Sequence, residues 1–248
     1  MSKRRPGIER SLLSTVTGEP FQPVRLYYAI PSRGSVTKVF RRLRCMNEDK
    51  EAGCWVWLYE REAAALTFGL PREKLSREVH PIVIGRFHLE EDRMVLAVRS
   101  SERATQAARF FKPFLGPEVV LVRARVFNRW LELREASVGL DRLDALLDAN
   151  VTFIDPEAAL ERFKKATAGA KTTEEKVAAY RAEQRRQDIP LVEDFPLHAE
   201  EETPDFRDLK FTLELRMVRA YEHWRGNTHI TLADLIDRVA EGNYKPPP

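Results

Sequence analysis

The amino-acid sequence predicts an α+β protein in which a ferredoxin-like sandwich of split βαβ units is followed by a helical C-terminal region. Three observations support this fold class. Residues 24–30, "VRLYYAI", alternate between apolar and polar sides, the period-2 pattern of a strand with one buried face. Strands and helices then follow in the order strand, helix, strand, short helix, strand, strand, helix, strand, which two split βαβ units produce. Beyond residue 133 the apolar spacing is helical.

The first half of the sandwich begins with the strand at 24–30. After the break at 31–34, we expect Ser35 to cap a short helix, because apolar residues follow it at i, i+3, i+4 and i+7 spacing. That apolar stripe consists of Val36, Val39, Phe40 and Leu43. The run "CWVWLYE" (54–60) then predicts a short buried strand, and the alanine-rich segment up to residue 68 predicts a short helix.

The second half contains a hairpin, a helix and a final strand. Two alternating runs, 81–90 and 93–100, are joined across Glu91-Asp92 and predict the hairpin. Ser100 or Ser101 is expected to cap the next helix, and the alternating run 119–127, "VVLVRARVF", predicts the last strand.

Helix-start signals mark the C-terminal region. Asp155 precedes a proline and a glutamate, Thr172 has Glu175 three residues later, and Thr231 is followed by Asp234. The chain accordingly divides into five segments: a flexible basic arm (1–23), the ferredoxin-like domain (24–135), a helical segment (136–187), an acidic proline-containing linker (188–208), and a C-terminal helical hairpin with its tail (209–248).

The composition predicts the location of the protein and excludes some classes of partner. The 248 residues carry a net charge of +3, and 32% of them are charged. No apolar run approaches the roughly 20 residues of a membrane helix, so no membrane partner is expected. Two cysteines and no apolar run behind the charged N-terminus indicate a reducing, cytoplasmic location.

Positive charge is concentrated in the N-terminal part. Residues 1–150 hold 26 lysines and arginines against 19 acidic residues, whereas residues 151–248 hold 15 against 19. Within "IPSRGSVTKVFRRLRC" (30–45), the expected helix has basic residues opposite its apolar stripe, and the nearest acidic residues in sequence are Glu19 and Glu48. Such a surface favours a nucleic-acid backbone as partner, although it also fits a simply solvated helix face.

A second cluster of candidate nucleic-acid ligands follows from strand alternation. If Leu26 and its apolar companions face the helices, the other sheet face receives cations and one aromatic ring. Cations mixed with an aromatic ring are typical of surfaces that stack and neutralise single strands. The full set of candidate nucleic-acid-binding residues is Arg25, Tyr27, Arg33, Lys38, Arg41, Arg42, Arg44, Arg123 and Arg125.

The C-terminal hairpin is interpreted as a surface that packs on the core or on a protein partner, with Met217, Tyr221 and Trp224 as its candidate contact residues. Its second helix is acidic, so phosphate would repel it as a recognition helix. No cofactor or metal is expected, because no cysteine, histidine or carboxylate motif has ligand spacing.

The sequence thus favours a non-catalytic accessory protein that contacts nucleic acid with its basic N-terminal surface and a protein with its C-terminal helices. Two other interpretations stay open. The charge asymmetry is also compatible with a pure interaction or assembly subunit. An enzyme whose active site converges only in three dimensions is compatible with the sequence as well.

Overall fold

The computed structural model describes residues 11–76, 78, 80–138, 143–185, 189–197 and 207–242. Its strands are β1 Val24–Ala29, β2 Met46–Asp49, β3 Cys54–Leu58, β4 Val83–Leu89, β5 Arg93–Val98, β6 Val120–Phe127, β7 Val151–Phe153 and β8 Val192–Pro196. Its α-helices are α1 Arg33–Phe40, α2 Ser101–Phe111, α3 Leu143–Leu146, α4 Pro156–Thr167, α5 Thr173–Gln184, α6 Arg207–Trp224 and α7 Leu232–Ala240.

The described strands form one eight-stranded sheet of order β2-β3-β4-β5-β1-β6-β8-β7. Neighbouring strands are antiparallel, except that β7 and β8 run parallel. The protein is therefore a mixed α/β structure built on one large sheet. The ferredoxin-like prediction is not confirmed, because the sheet is extended by β2-β3 at one edge and by β8-β7 at the other.

The main core lies on one face of the sheet. Val24, Leu26 and Tyr28 of β1 point to this face, where α1, α2 and the start of α6 cover them. Aromatic rings fill the centre: the Phe40 ring centroid lies 4.9 Å from that of Phe87. The alternation read from "VRLYYAI" therefore gives the buried side of β1 correctly.

Part of the other face of the sheet is covered by a second apolar cluster. This cluster comprises Leu13, Phe21, Phe127, Leu131, Leu147 and Val192. Phe127 and Val192 are paired in the β6–β8 register, on the same side as Arg125 and Asp194. This cluster joins the N-terminal segment and the end of α3 to the sheet.

Two segments differ from their sequence-based interpretation. The expected linker 188–208 contributes β8, which lies inside the sheet between β6 and β7. The part of the expected arm that the structure describes, 11–23, packs on the protein through Leu13 and Phe21, while residues 1–10 lie outside the described ranges. Its Glu19 forms a buried ion pair with Arg103, at 2.8 Å between Oε1 and Nε.

Most of the helix-start signals mark the caps that the structure shows. Asp155, Thr172 and Thr231 cap α4, α5 and α7 as predicted, and Ser100 caps α2. The cap of α1, however, is Ser32 rather than Ser35: the Ser32 hydroxyl accepts a hydrogen bond from the Ser35 backbone N–H. The helix therefore begins one turn earlier than predicted. In the described part of the chain, no helix combines the length and the apolar character needed to cross a bilayer.

Candidate functional site

The candidate nucleic-acid ligands divide between the two sides of the sheet. α1 packs Val36 and Phe40 into the main core, so its polar residues point outward on the helix-covered side. Arg25 and Tyr27 alternate with the buried residues of β1 and therefore lie on the opposite side. One continuous surface does not contain all nine residues.

We call the first group the α1 surface; it consists of Arg33, Lys38, Arg41, Arg42 and Arg44. All five side chains are exposed. Glu48 approaches Arg41 only to 4.0 Å, and the other four side chains form no ion pair within the described ranges, although the Glu62 carboxylate accepts a hydrogen bond from the Arg44 backbone N–H at 3.2 Å. The α1 surface therefore presents nearly uncompensated positive charge.

The position of Arg33 is informative because it opens the helix. A cation at the N-terminus of a helix opposes the helix dipole, and α1 has no acidic residue in its first turn to offset it. Arg33 thus contributes nothing to helix stability through the dipole. Its charge is available to an anion that approaches the α1 surface.

We call the second group the Tyr27 face; it consists of Arg25, Tyr27, Arg123 and Arg125. The β1–β6 register pairs Arg25 with Arg125 and Tyr27 with Arg123, so the four side chains do meet as the alternation predicts. The Arg123 guanidinium lies 4.0 Å from the Tyr27 ring centroid, and that of Arg125 lies 5.5 Å away. One side of the ring that would stack a base is thus occupied by a cation of the protein itself.

Two aspartates neutralise much of the Tyr27 face. Asp148 accepts hydrogen bonds from Arg25 at 2.5 Å and from Arg125 at 2.9 Å. Asp194 is 2% exposed; its Oδ2 accepts from Arg125 at 2.7 Å, and its Oδ1 lies 3.3 Å from Arg123. Three guanidinium groups against two carboxylates leave about one net positive charge.

The pKa of Asp148 reflects this network. The hydrogen bond from Arg25 lowers the pKa of Asp148 below its usual range, partial burial opposes this shift, and the charges of Arg25 and Arg125 add to the lowering. Asp148 therefore stays ionised well into the acidic range. Neither aspartate is recognisable from the sequence as a partner of these arginines, since both lie at least 23 residues away from them along the chain.

The candidate partner residues lie on α6. Met217, Tyr221 and Trp224 are partly buried. The Tyr221 ring lies 5.1 Å from that of Trp130, and the Tyr221 and Trp224 rings are stacked with centroids 6.3 Å apart. Part of this aromatic surface is therefore used for packing within the chain.

Metal and thiol chemistry receive no geometric support within the described residues. No group of three or more histidine, cysteine, aspartate or glutamate side chains there is arranged to hold a metal ion. Cys45 and Cys54 are unbonded to each other and buried. Burial, assisted by the Glu62 carboxylate, raises the pKa of the Cys45 thiol to about 12, so this sulfur is a poor nucleophile at neutral pH.

Fold and site together define a mixed α/β protein with one basic helix surface that has few acidic neighbours and one arginine–aspartate network, on opposite sides of its sheet. Comparison with known proteins found no matching family model, no matching curated protein and no matching solved structure. Functional inference therefore depends on the chain's own geometry and charge.

Proposed function

We propose that this chain binds the phosphate backbone of a nucleic acid through the α1 surface and serves as a non-catalytic accessory protein. One observation carries the proposal: five exposed cations cluster around one short helix, and among the described residues their side chains form a single ion pair, the 4.0 Å approach of Glu48 to Arg41. A surface of this kind gains affinity by releasing counterions condensed on a polyanion, and it does so without reading base sequence.

The Tyr27 face has a smaller part in this proposal. Its arginines are already paired with Asp148 and Asp194, so a phosphate would have to displace existing ion pairs. We therefore expect the α1 surface to provide most of the affinity. Substitutions at Arg25 or Arg123 should alter stability more than binding.

The salt dependence of binding tests the proposal quantitatively. Each neutralised phosphate contributes about 0.9 to the slope of log affinity against log salt on double-stranded DNA, so five contacts give a slope of about 4 to 5. Reversing Lys38, Arg41 and Arg42 to glutamate should lower that slope by about 3 and remove most of the affinity. Fluorescence anisotropy with labelled single- and double-stranded DNA and RNA measures both quantities.

The chain offers a matched control on α4. Arg162, Lys164 and Lys165 are exposed there, and their reversal to glutamate changes the net charge by the same amount. α4 follows β7 at one edge of the sheet, whereas α1 packs on β3 and β4 near the other. Equal losses in both triple variants would indicate only a general charge effect. No binding by the wild-type chain at low salt would refute the proposal and favour an assembly subunit or an enzyme.

We also propose that a protein partner contacts the exposed parts of Met217, Tyr221 and Trp224. Their partial exposure and the aromatic stack of Tyr221 on Trp224 support this, since aromatic residues are enriched at protein interfaces. Size-exclusion chromatography with light scattering would report self-association, and Met217→Glu should abolish it if a second copy of the chain is the partner.

As to the fold, we propose that β4-β5-β1-β6 with α1 and α2 corresponds to a ferredoxin-like unit enlarged by flanking strands. In support of this, α2 connects β5 to β6, and these two strands are separated in the sheet by β1 alone. The segment from β1 through α1 leads, by way of β2 and β3, to β4, which is separated from β1 by β5 alone. Split βαβ units have this spacing of one intervening strand.

A further inference from the structure

The hairpin of α4 and α5 buries very little of its own surface. Each helix has 12 residues, and of their side chains, all of which the structure describes, only that of Thr167 is buried. The two helices meet through the Phe163 and Tyr180 rings, whose centroids lie 5.1 Å apart. Because helices in proteins gain most of their stability from packing an apolar face, a hairpin with so little buried surface is stabilised by a further contact.

α4 exposes apolar side chains next to charged ones. Leu160 is 52% exposed and Phe163 is 36% exposed. Glu157 precedes Leu160 by three residues and Lys164 follows it by four, so the three side chains share one face of the helix. We call the set of Glu157, Leu160, Phe163 and Lys164 the α4 face.

The two charges of the α4 face are only weakly engaged within the chain. Glu157 is exposed, and its side chain forms no ion pair with any residue that the structure describes. Lys164 pairs with Glu161 at 2.7 Å, but these side chains are 59% and 70% exposed, and exposed pairs of this kind contribute little to stability. Both charges can therefore pair with a second molecule.

The order of these charges fits a second copy of the same helix. Glu157 lies in the first turn of α4, and Lys164 lies in the last turn. Symmetric dimers use the same surface on both copies, and a two-fold axis perpendicular to a helix makes its two copies antiparallel. With that axis beside Leu160, the Leu160 side chains of both copies meet, and Glu157 of each copy lies opposite Lys164 of the other.

We propose that the α4 face is a self-association surface on which two copies of this chain pair their α4 helices in antiparallel orientation. Leu160 and Phe163 supply the apolar contact, and two Glu157–Lys164 ion pairs fix the orientation. One 12-residue helix per copy buries less than the roughly 800 Å² per partner of a standard interface, so the dimer is weak, with a Kd on the order of 100 µM. The α4 face is separate from the α1 surface, and the proposal does not depend on nucleic-acid binding.

Sedimentation equilibrium of the full-length chain, from about 1 µM to about 1 mM, measures this dimer. We expect the wild-type chain to change from monomer to dimer over that range and Leu160→Glu to stay monomeric. Leu133→Glu is the matched control, because Leu133 is 57% exposed but lies outside α4, and it should dimerise like the wild type. Circular dichroism checks that each variant is folded.

A charge exchange tests the antiparallel orientation. Glu157→Lys leaves only positive charge opposite positive charge, and Lys164→Glu leaves only negative opposite negative, so each variant alone should self-associate about tenfold more weakly than the wild type. An equimolar mixture of the two variants restores both ion pairs between unlike copies and should dimerise about as well as the wild type. This recovery requires both variants to be folded, so a folding defect cannot imitate it.

Lys164 also belongs to the charge reversal on α4 that serves as the control for nucleic-acid binding. That control is therefore measured at chain concentrations well below the dimer Kd, where the wild type is monomeric as well.

Three outcomes would overturn the proposal. The first is a wild-type chain that remains monomeric up to about 1 mM. The second is a mixture of Glu157→Lys and Lys164→Glu that associates no better than its components, which would exclude the antiparallel pairing. The third is a dimer that survives Leu160→Glu, since its interface then lies elsewhere; loss of that dimer in Met217→Glu would locate the interface on α6.

Discussion

Replacing Glu193 with glutamine should destabilise the protein by about 3–5 kcal/mol, because it leaves two buried guanidinium groups without a counter-charge. The Glu193 side chain is 4% exposed; it accepts hydrogen bonds from Arg216 and, at 3.0 Å, from Arg219, which are 9% and 4% exposed. Glutamine keeps the shape of the side chain but not its charge. Since domains are stable by only about 5–15 kcal/mol, the loss is a large fraction of the total.

Urea unfolding followed by circular dichroism at pH 7 measures this loss. The matched control is Glu161→Gln, which breaks an exposed ion pair with Lys164 in which the side chains are 70% and 59% exposed. Exposed pairs contribute about 0–1 kcal/mol, so the control should unfold nearly like the wild type. If the two variants lose similar free energy of unfolding, the burial argument for Glu193 is wrong.

The same ion-pair cluster predicts a pH dependence. Burial alone would raise the pKa of Glu193, but the charges of Arg216 and Arg219 outweigh it and hold the pKa below its usual value. A lowered folded-state pKa stabilises the protein at pH values above the unfolded value of about 4.3, and this contribution disappears as the pH falls through the folded value. The stability difference between wild type and Glu193→Gln should therefore shrink below about pH 4.

Three further predictions concern Glu102, the cap of α1 and the two cysteines. Burial, and then the charge of Glu19, raise the pKa of Glu102 to about 7. Glu102→Gln should therefore stabilise the chain by about 1–3 kcal/mol at pH 8 and have little effect at pH 4. Equal effects in thermal melts at both pH values would contradict this prediction. Ser32→Ala should cost about 1 kcal/mol in urea unfolding, because it removes the cap of α1, whereas Ser35→Ala should cost less. Cys45 and Cys54, at 0% and 3% exposure, should react with Ellman's reagent only after unfolding; a rapid reaction of the native chain would refute their burial.

Much of the fold could be predicted wherever local chemistry determines it. The caps at Asp155, Thr172 and Thr231 are visible because the capping side chain and its partner N–H lie within three residues of each other. The buried side of β1 is visible because strand side chains alternate strictly. The error at Ser35 has a local cause too: Ser32 and Ser35 both suit a cap, and the apolar stripe alone does not discriminate between them.

β8 could not be predicted from its own residues. The segment "VEDFP" contains two adjacent acids and a proline, a composition that favours a linker. Its acids are buried in the sheet because Glu193 meets Arg216 on the helix-covered side and Asp194 meets Arg125 on the other. These partners are supplied by α6 and β6, so only the tertiary structure makes the strand favourable.

The α1 surface and the Tyr27 face also differ in how far their charge can be predicted from the sequence. An outward-facing helix such as α1 meets mainly solvent and its own sequence neighbours, so few acids reach it: Glu48 lies 4.0 Å from Arg41, and Glu62 accepts a hydrogen bond from the Arg44 backbone N–H at 3.2 Å. A sheet face instead receives side chains from any part of the chain. Asp148 reaches Arg25 across 123 residues, and Asp194 reaches Arg125 across 69. Strand alternation therefore predicted which arginines would meet at the Tyr27 face but not that aspartates would neutralise them, and this is the physical reason why we propose the α1 surface, rather than the Tyr27 face, as the nucleic-acid contact.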